Sequence, residues 1–141
     1  RKALNEFDEI VVQYEIVCLE LTNQARIVSL RDEIMRATTA KNTRLESLAQ
    51  EVWLKAEDAI KEYTNLGPRI NAESSRLLQL KSQRDAVKDI KNEIHIIADE
   101  IYSQLLNATT EDSLDEIKIS MDNRYKEIET QLQEIRKGLA I

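Results

Sequence analysis

One histidine, one cysteine and a few adjacent carboxylates are the residues of this chain whose types suggest chemistry. His95 is followed four positions later by Asp99, so a helix places both on one face, where they offer two metal ligands. A structural or catalytic zinc site needs three or four donors, and Cys18 is far away in the sequence. His95 is therefore expected on a polar face, and no metal site is expected. Cys18 has no neighbouring histidine or cluster of cations to lower its thiol pKa, and it reads as a small hydrophobe between Tyr14 and Leu21. Asp32-Glu33, Glu57-Asp58 and Glu111-Asp112 are paired carboxylates, but acid–base catalysis needs an enclosed pocket that shifts their pKa values. They sit among lysines and arginines, as in Glu57 and Lys61 one helical turn apart, which is the pattern of a solvated face. Asn107-Ala108-Thr109 matches the N-glycosylation pattern, yet nothing in the sequence signals export, so it reads as a turn. The expectation is a non-enzyme with no catalytic residue and no cofactor.

The elements that hold these residues follow from what the chain lacks. Its 141 residues contain two Gly and one Pro, with 33% charged, 42% apolar and 4% aromatic residues. Sheets, hairpins and phosphate-cradling loops need Gly, Pro or positive-φ residues at their turns. Their near absence excludes Rossmann, barrel and sandwich folds and leaves a few long helices. Turn chemistry is concentrated at Asn65-Leu66-Gly67-Pro68 and at Asn107–Ser113, where Ser113 and Glu116 have capping-box spacing. A weaker stretch, Arg36–Thr43, holds three Thr and one Asn but no Gly or Pro.

Between these points apolar residues recur every three to four positions. Leu4, Phe7, Val11, Tyr14, Cys18, Leu21 and Val28 form one narrow stripe. The pattern then slips and resumes as Leu45, Leu48, Val52, Ala56 and Ala59. Leu77, Leu80, Val87, Ile90, Ile94, Ile97, Ile101 and Leu105 form a second seam, and Leu114, Ile117, Met121, Tyr125, Ile128, Leu132, Ile135 and Leu139 a third. Helices are expected over 3–64, 69–106 and 113–139. Residues 37–141 fit an antiparallel three-helix bundle, and residues 1–36 project from it with an apolar stripe that nothing in the bundle covers. Three fates stay open for that stripe. Helices of a preceding unit cover it, two copies pair through it, or the chain bends at 38–43 and folds back as a fourth helix.

Charge excludes another class. Twenty basic and 26 acidic residues give a net charge of −6, and neither half of the chain presents the basic face that nucleic acid requires. No apolar run is long enough to span a bilayer, so no membrane insertion is expected. One Cys cannot build a disulfide framework, which fits a cytoplasmic setting.

Three features resemble the spectrin repeat of spectrins, dystrophin, plakins and nesprins. Trp53, within Glu51-Val52-Trp53-Leu54, is similar to the aromatic position of that repeat's first helix. Asn123-Arg124-Tyr125-Lys126-Glu127-Ile128, continuing through Leu132, Ile135 and Leu139, resembles its third helix, with Tyr125 standing for the family's Trp. The seam from Leu77 to Ile101 resembles its second helix. The resemblance covers residues 37–141 and makes residues 1–36 the last helix of a preceding repeat. It implies core anchors at Trp53 and Tyr125, and a structural rod or spacer segment of a cytoskeletal cross-linking or scaffold protein. The implied partners are neighbouring repeats of the same chain, other cytoskeletal and actin-associated proteins, or a second copy. The competing expectation is a coiled-coil subunit of a tethering or kinetochore-type complex, with residues 4–28 as its partner-binding helix.

Overall fold

The computed structural model describes the backbone of residues 2–65 and 75–139, and the side chains from Asn5 onward within those spans. Three helices account for nearly all of it: α1 (Lys2–Asn65), α2 (Ser75–Asn107) and α3 (Glu111–Gly138). No strand occurs among the described residues. The Gly67-Pro68 turn and the expected start of the second helix at 69 lie outside them.

Facing side chains fix the topology. Along α1 and α2, Glu57 meets Arg84, Gln50 meets Lys91, Glu46 meets His95 and Thr39 meets Tyr102, so the numbering falls on one helix as it rises on the other. These two helices are antiparallel. Along α1 and α3 the numbering rises together, through Thr38 with Met121, Arg44 with Glu129, and Glu51 with Arg136. Arg76 with Gly138 and Glu100 with Arg124 make α2 and α3 antiparallel. Each helix packs on the other two, which is an up-down-up bundle. The ion pairs are partly solvated and each contributes about 0–1 kcal/mol, so their role is to select this register rather than to supply stability.

Apolar burial supplies the stability. The core runs from Ile34, Leu45, Ala49, Val52, Ala56 and Ala59 on α1, through the Leu80–Leu105 seam of α2, to Leu114, Met121, Tyr125, Ile128 and Leu132 on α3. Small residues dominate the α1 contribution, and Ala49 and Ala56 are fully buried. Trp53 differs from the expectation. It is half-buried at the edge of the core, with the Lys91 ammonium 5.6 Å from its ring centroid. One position away, Val52 takes the inward direction in line with buried Ala49, Ala56 and Ala59, and Trp53 is turned about 100° from that seam.

The weak helix formers at 38–43 do not break α1. Thr38, Thr39 and Thr43 each donate a hydroxyl hydrogen bond to the carbonyl four residues back, at 2.7–3.0 Å. Thr38 is completely buried against Met121, Thr39 reaches Tyr102 at 2.6 Å, and Lys41 pairs with Asp122 at 2.6 Å. Tertiary packing thus offsets a deficit of tenths of a kcal/mol per residue. An uninterrupted α1 excludes the fold-back four-helix arrangement.

The second turn also differs in detail. Thr110, not Ser113, caps α3: its φ and ψ are −127° and 155°, and its hydroxyl accepts from the Ser113 backbone N–H at 3.1 Å. Starting the helix at Glu111 places Glu111 and Asp112 in the first turn, where the helix dipole favours carboxylates. The turn is tied to α1 by Arg31, which donates to the Ala108 carbonyl at 2.8 Å, and by an Arg26–Glu111 ion pair. Ile27 and Leu30 pack on the core edge and Ile34 lies inside it, so the packed region begins well before residue 37.

Candidate functional site

The register of α1 against α3 decides what part of α1 is left over. Glu111, the first residue of α3, is level with Arg26, so residues before Arg26 extend past the end of the bundle. Every described side chain from Asn5 to Arg26 is exposed. At 1.5 Å per residue the stretch from Asn5 to Ala25 is an arm of about 30 Å.

The stripe read from the sequence lies on this arm. Phe7 is 63% exposed, Tyr14 70% and Leu21 60%, and Val11, Cys18 and Val28 are exposed too; the side chain of Leu4 lies outside the described residues. Exposed Cys18 thus shares a face with large hydrophobes without being packed in this chain. Two further sets escape a reading by spacing alone. Ile10 and Val17 widen the stripe along one edge, and Val12, Ile16 and Leu19 form a second apolar strip on the far side. A helical wheel is the signal that finds both. At about 100° per residue, Ile10 and Val17 fall beside Phe7 and Tyr14, and Val12, Ile16 and Leu19 fall more than about 90° away.

The same wheel relates the arm to the core. The stripe from Phe7 to Val28 points more than about 100° away from the face that carries Ile34, Leu45, Val52 and Ala59. Longer α2 and α3 helices would therefore slide past it. Whatever covers this stripe approaches from a different side than this bundle's own helices.

The residues considered for chemistry are scattered. His95 is exposed on α2 with its Nε2 3.1 Å from Glu46, whereas Cys18 lies on the arm. Among the described residues no three or more His, Cys, Asp or Glu side chains gather as a metal site. The Glu57 carboxylate pairs with Arg84, and Asn107 is the exposed last residue of α2. A shallow groove of about 370 Å³ between α1 and α3 is lined by Lys41, Arg44, Asp122, Tyr125 and Glu129. Its charges are spent on the Lys41–Asp122 and Arg44–Glu129 pairs.

Tyr125 is the one described group with a markedly shifted ionisation. It is 2% exposed, and its hydroxyl donates to Asn42 at 3.4 Å. Burial pushes its phenol up from 10.0 to about 12, helped by Tyr102 and Glu46 and opposed by the Arg124 cation. The folded state keeps this proton after the unfolded chain releases it. Stability from this group is therefore intact below pH 10 and falls by about 1.4 kcal/mol per pH unit as pH rises from 10 to 12. Urea titrations of wild type and Tyr125→Phe should differ by less than about 1 kcal/mol at pH 8, since the hydrogen bond lost is long. By pH 12 the variant should have gained about 2–3 kcal/mol relative to wild type. A difference independent of pH would show that the phenol ionises equally in both states.

No protein-family model, curated protein or solved structure matches the chain. The fold is a three-helix bundle on its own geometry. No helix among the described residues is long and apolar enough to cross a membrane.

Proposed function

We propose that this chain is a rod or spacer segment in which one continuous helix joins two packing units. The observation that carries the reading is α1 itself. It runs without a break from an arm with an exposed apolar stripe into a closed core that faces another way. A helix shared in this manner resists bending between units and couples their unfolding to that of their neighbours. The breadth of the arm's stripe supports the same reading. A strict two-stranded seam uses two positions per heptad, whereas Phe7, Ile10, Val11, Tyr14, Val17, Cys18 and Leu21 use three, as a helix packed against two others does.

On this reading the protein is structural rather than enzymatic. Its spectrin-repeat resemblance, carried by Trp53, Arg124, Tyr125 and the third-helix leucines, suggests a cytoskeletal cross-linker or scaffold in the cytoplasm, with actin-associated or other ends elsewhere. The coiled-coil tethering subunit is the second reading, and the full exposure of the same face favours it equally.

The test breaks the shared helix where it touches nothing. Glu20→Pro removes a backbone hydrogen bond in the exposed arm and costs the helix about 3 kcal/mol locally. Small-angle scattering should show wild type as a particle about 95 Å long, the length of a straight α1, and the variant as shorter and flexible. The bundle's thermal midpoint should not move. A wild-type particle no longer than the bundle would refute the rod reading.

A further inference from the structure

The arm differs from the rest of the chain in charge as well as in packing. Between Asn5 and Ala25 lie five acidic residues, Glu6, Asp8, Glu9, Glu15 and Glu20, and no basic residue. From Arg26 onward the chain carries 18 basic and 21 acidic residues, and cross-helix pairs such as Lys41–Asp122 and Arg124–Glu100 draw on both signs.

The acidic positions are not random on the helix. With Phe7, Tyr14 and Leu21 at the centre of the stripe, Asp8 and Glu15 line one edge at heptad spacing. Glu6 and Glu20, two heptads apart, line the other edge beyond Ile10 and Val17. The apolar face is thus bounded on both sides by carboxylates that have no ion-pair partner among the described side chains. In helix–helix interfaces these flanking positions choose the partner, because like charges across the seam repel and opposite charges attract. Two arms laid together would set these four flanking carboxylates against their copies, with no basic residue between Asn5 and Ala25 to relieve them.

We infer that the arm docks a partner helix with basic flanks, an amphipathic segment bearing Lys or Arg on either side of its apolar stripe, and not a second copy of itself. This rests on the reading of the arm as an inter-helix face and adds the chemistry of what covers it. The apolar contacts would supply affinity, and the carboxylate edges would supply selectivity and orientation.

Two synthetic four-heptad peptides test it, both with Leu at the seam and Ala and Gln elsewhere, one with Lys and one with Glu at every flanking position. Neither pairs readily with itself, and each is titrated into the whole 141-residue chain. At about 50 mM salt the Lys peptide should bind at least roughly tenfold more tightly than the Glu peptide, and about 500 mM salt should shrink the gap. Replacing Glu6, Asp8, Glu15 and Glu20 by Lys should reverse the preference. These four positions lie beyond the bundle, so its thermal midpoint reports whether the variant still folds. Equal binding of the two peptides overturns the charge selectivity and leaves helix docking standing. Binding of neither overturns both. A salt-resistant dimer of the chain alone, seen by sedimentation at micromolar concentration, overturns the inference in favour of self-pairing.

Discussion

Replacing Ile94 by Ala should lower the unfolding free energy by about 2–5 kcal/mol in a urea titration. Ile94 is completely buried near the middle of α2. The neighbouring pair His95–Glu46 places it level with Leu45 and Ala49 on α1. The antiparallel α3 brings Ile128 and Leu132 to the same layer, one to two turns along from the Glu100–Arg124 pair. All three helices meet at that layer, and rigid helical backbones cannot collapse into the space that the truncation would open. Ile96, two residues further along the same helix, is 54% exposed. Ile96→Ala should change stability by less than about 0.5 kcal/mol. Propensity and mass change are the same in both substitutions, so the contrast isolates burial. Similar losses from the two variants would mean that α2 is rotated relative to this register.

The second large effect is a paired truncation. Removing residues 1–25 should leave the thermal midpoint within about 2 °C, because every described side chain in that stretch is exposed. Removing residues 1–36 should lower it by roughly 10–20 °C, corresponding to a loss of about 3 kcal/mol or more. The longer deletion takes away buried Ile34, the core-edge residues Ile27 and Leu30, and the Arg31 hydrogen bond that pins the 108–110 turn. Differential scanning calorimetry at one protein concentration separates the cases. Equal melting of the two shortened chains would return the edge of the folded unit to residue 37.

The apolar seams are legible in the residue pattern because α2 and α3 are regular. Leu80, Ile94, Ile101, Leu114, Met121 and Leu132 recur at helical spacing and all are buried. The edges are harder. Thr110 and Ser113 are both good caps, and what separates them is the pair of carboxylates between, which favours starting the helix one residue after Thr110. The spectrin-repeat resemblance assigns the aromatic Trp53 to the core, whereas the seam read from spacing runs through Val52. In the bundle, Val52 lies in the seam with Ala49 and Ala56, and Trp53, the next residue, lies along the edge under Lys91. The helical spacing therefore gives the inward residue at this layer, and the likeness of one aromatic position does not.

For the arm, periodicity shows one apolar stripe and the structure shows where it points. Arg26 and Arg31 decide where the arm leaves the bundle, yet as isolated arginines in a charged helix they carry no signal. Their partners lie on a turn more than 75 positions away, and only the fold brings them together.

The unbroken helix also makes the chain's length a phase variable. Each residue added or lost between Ala25 and Ile34 would turn everything on its N-terminal side by about 100°, as if one gear tooth had been skipped. An insertion of seven or eleven residues would restore the phase to within about 20°, while one or two would not. Among chains descended from this one, length changes in that short stretch would be confined to those steps. At the 108–110 turn, where helix gives way to irregular backbone, no such period applies, and the ties from Arg31 and Arg26 and the burial of Ala108 would limit what could be inserted.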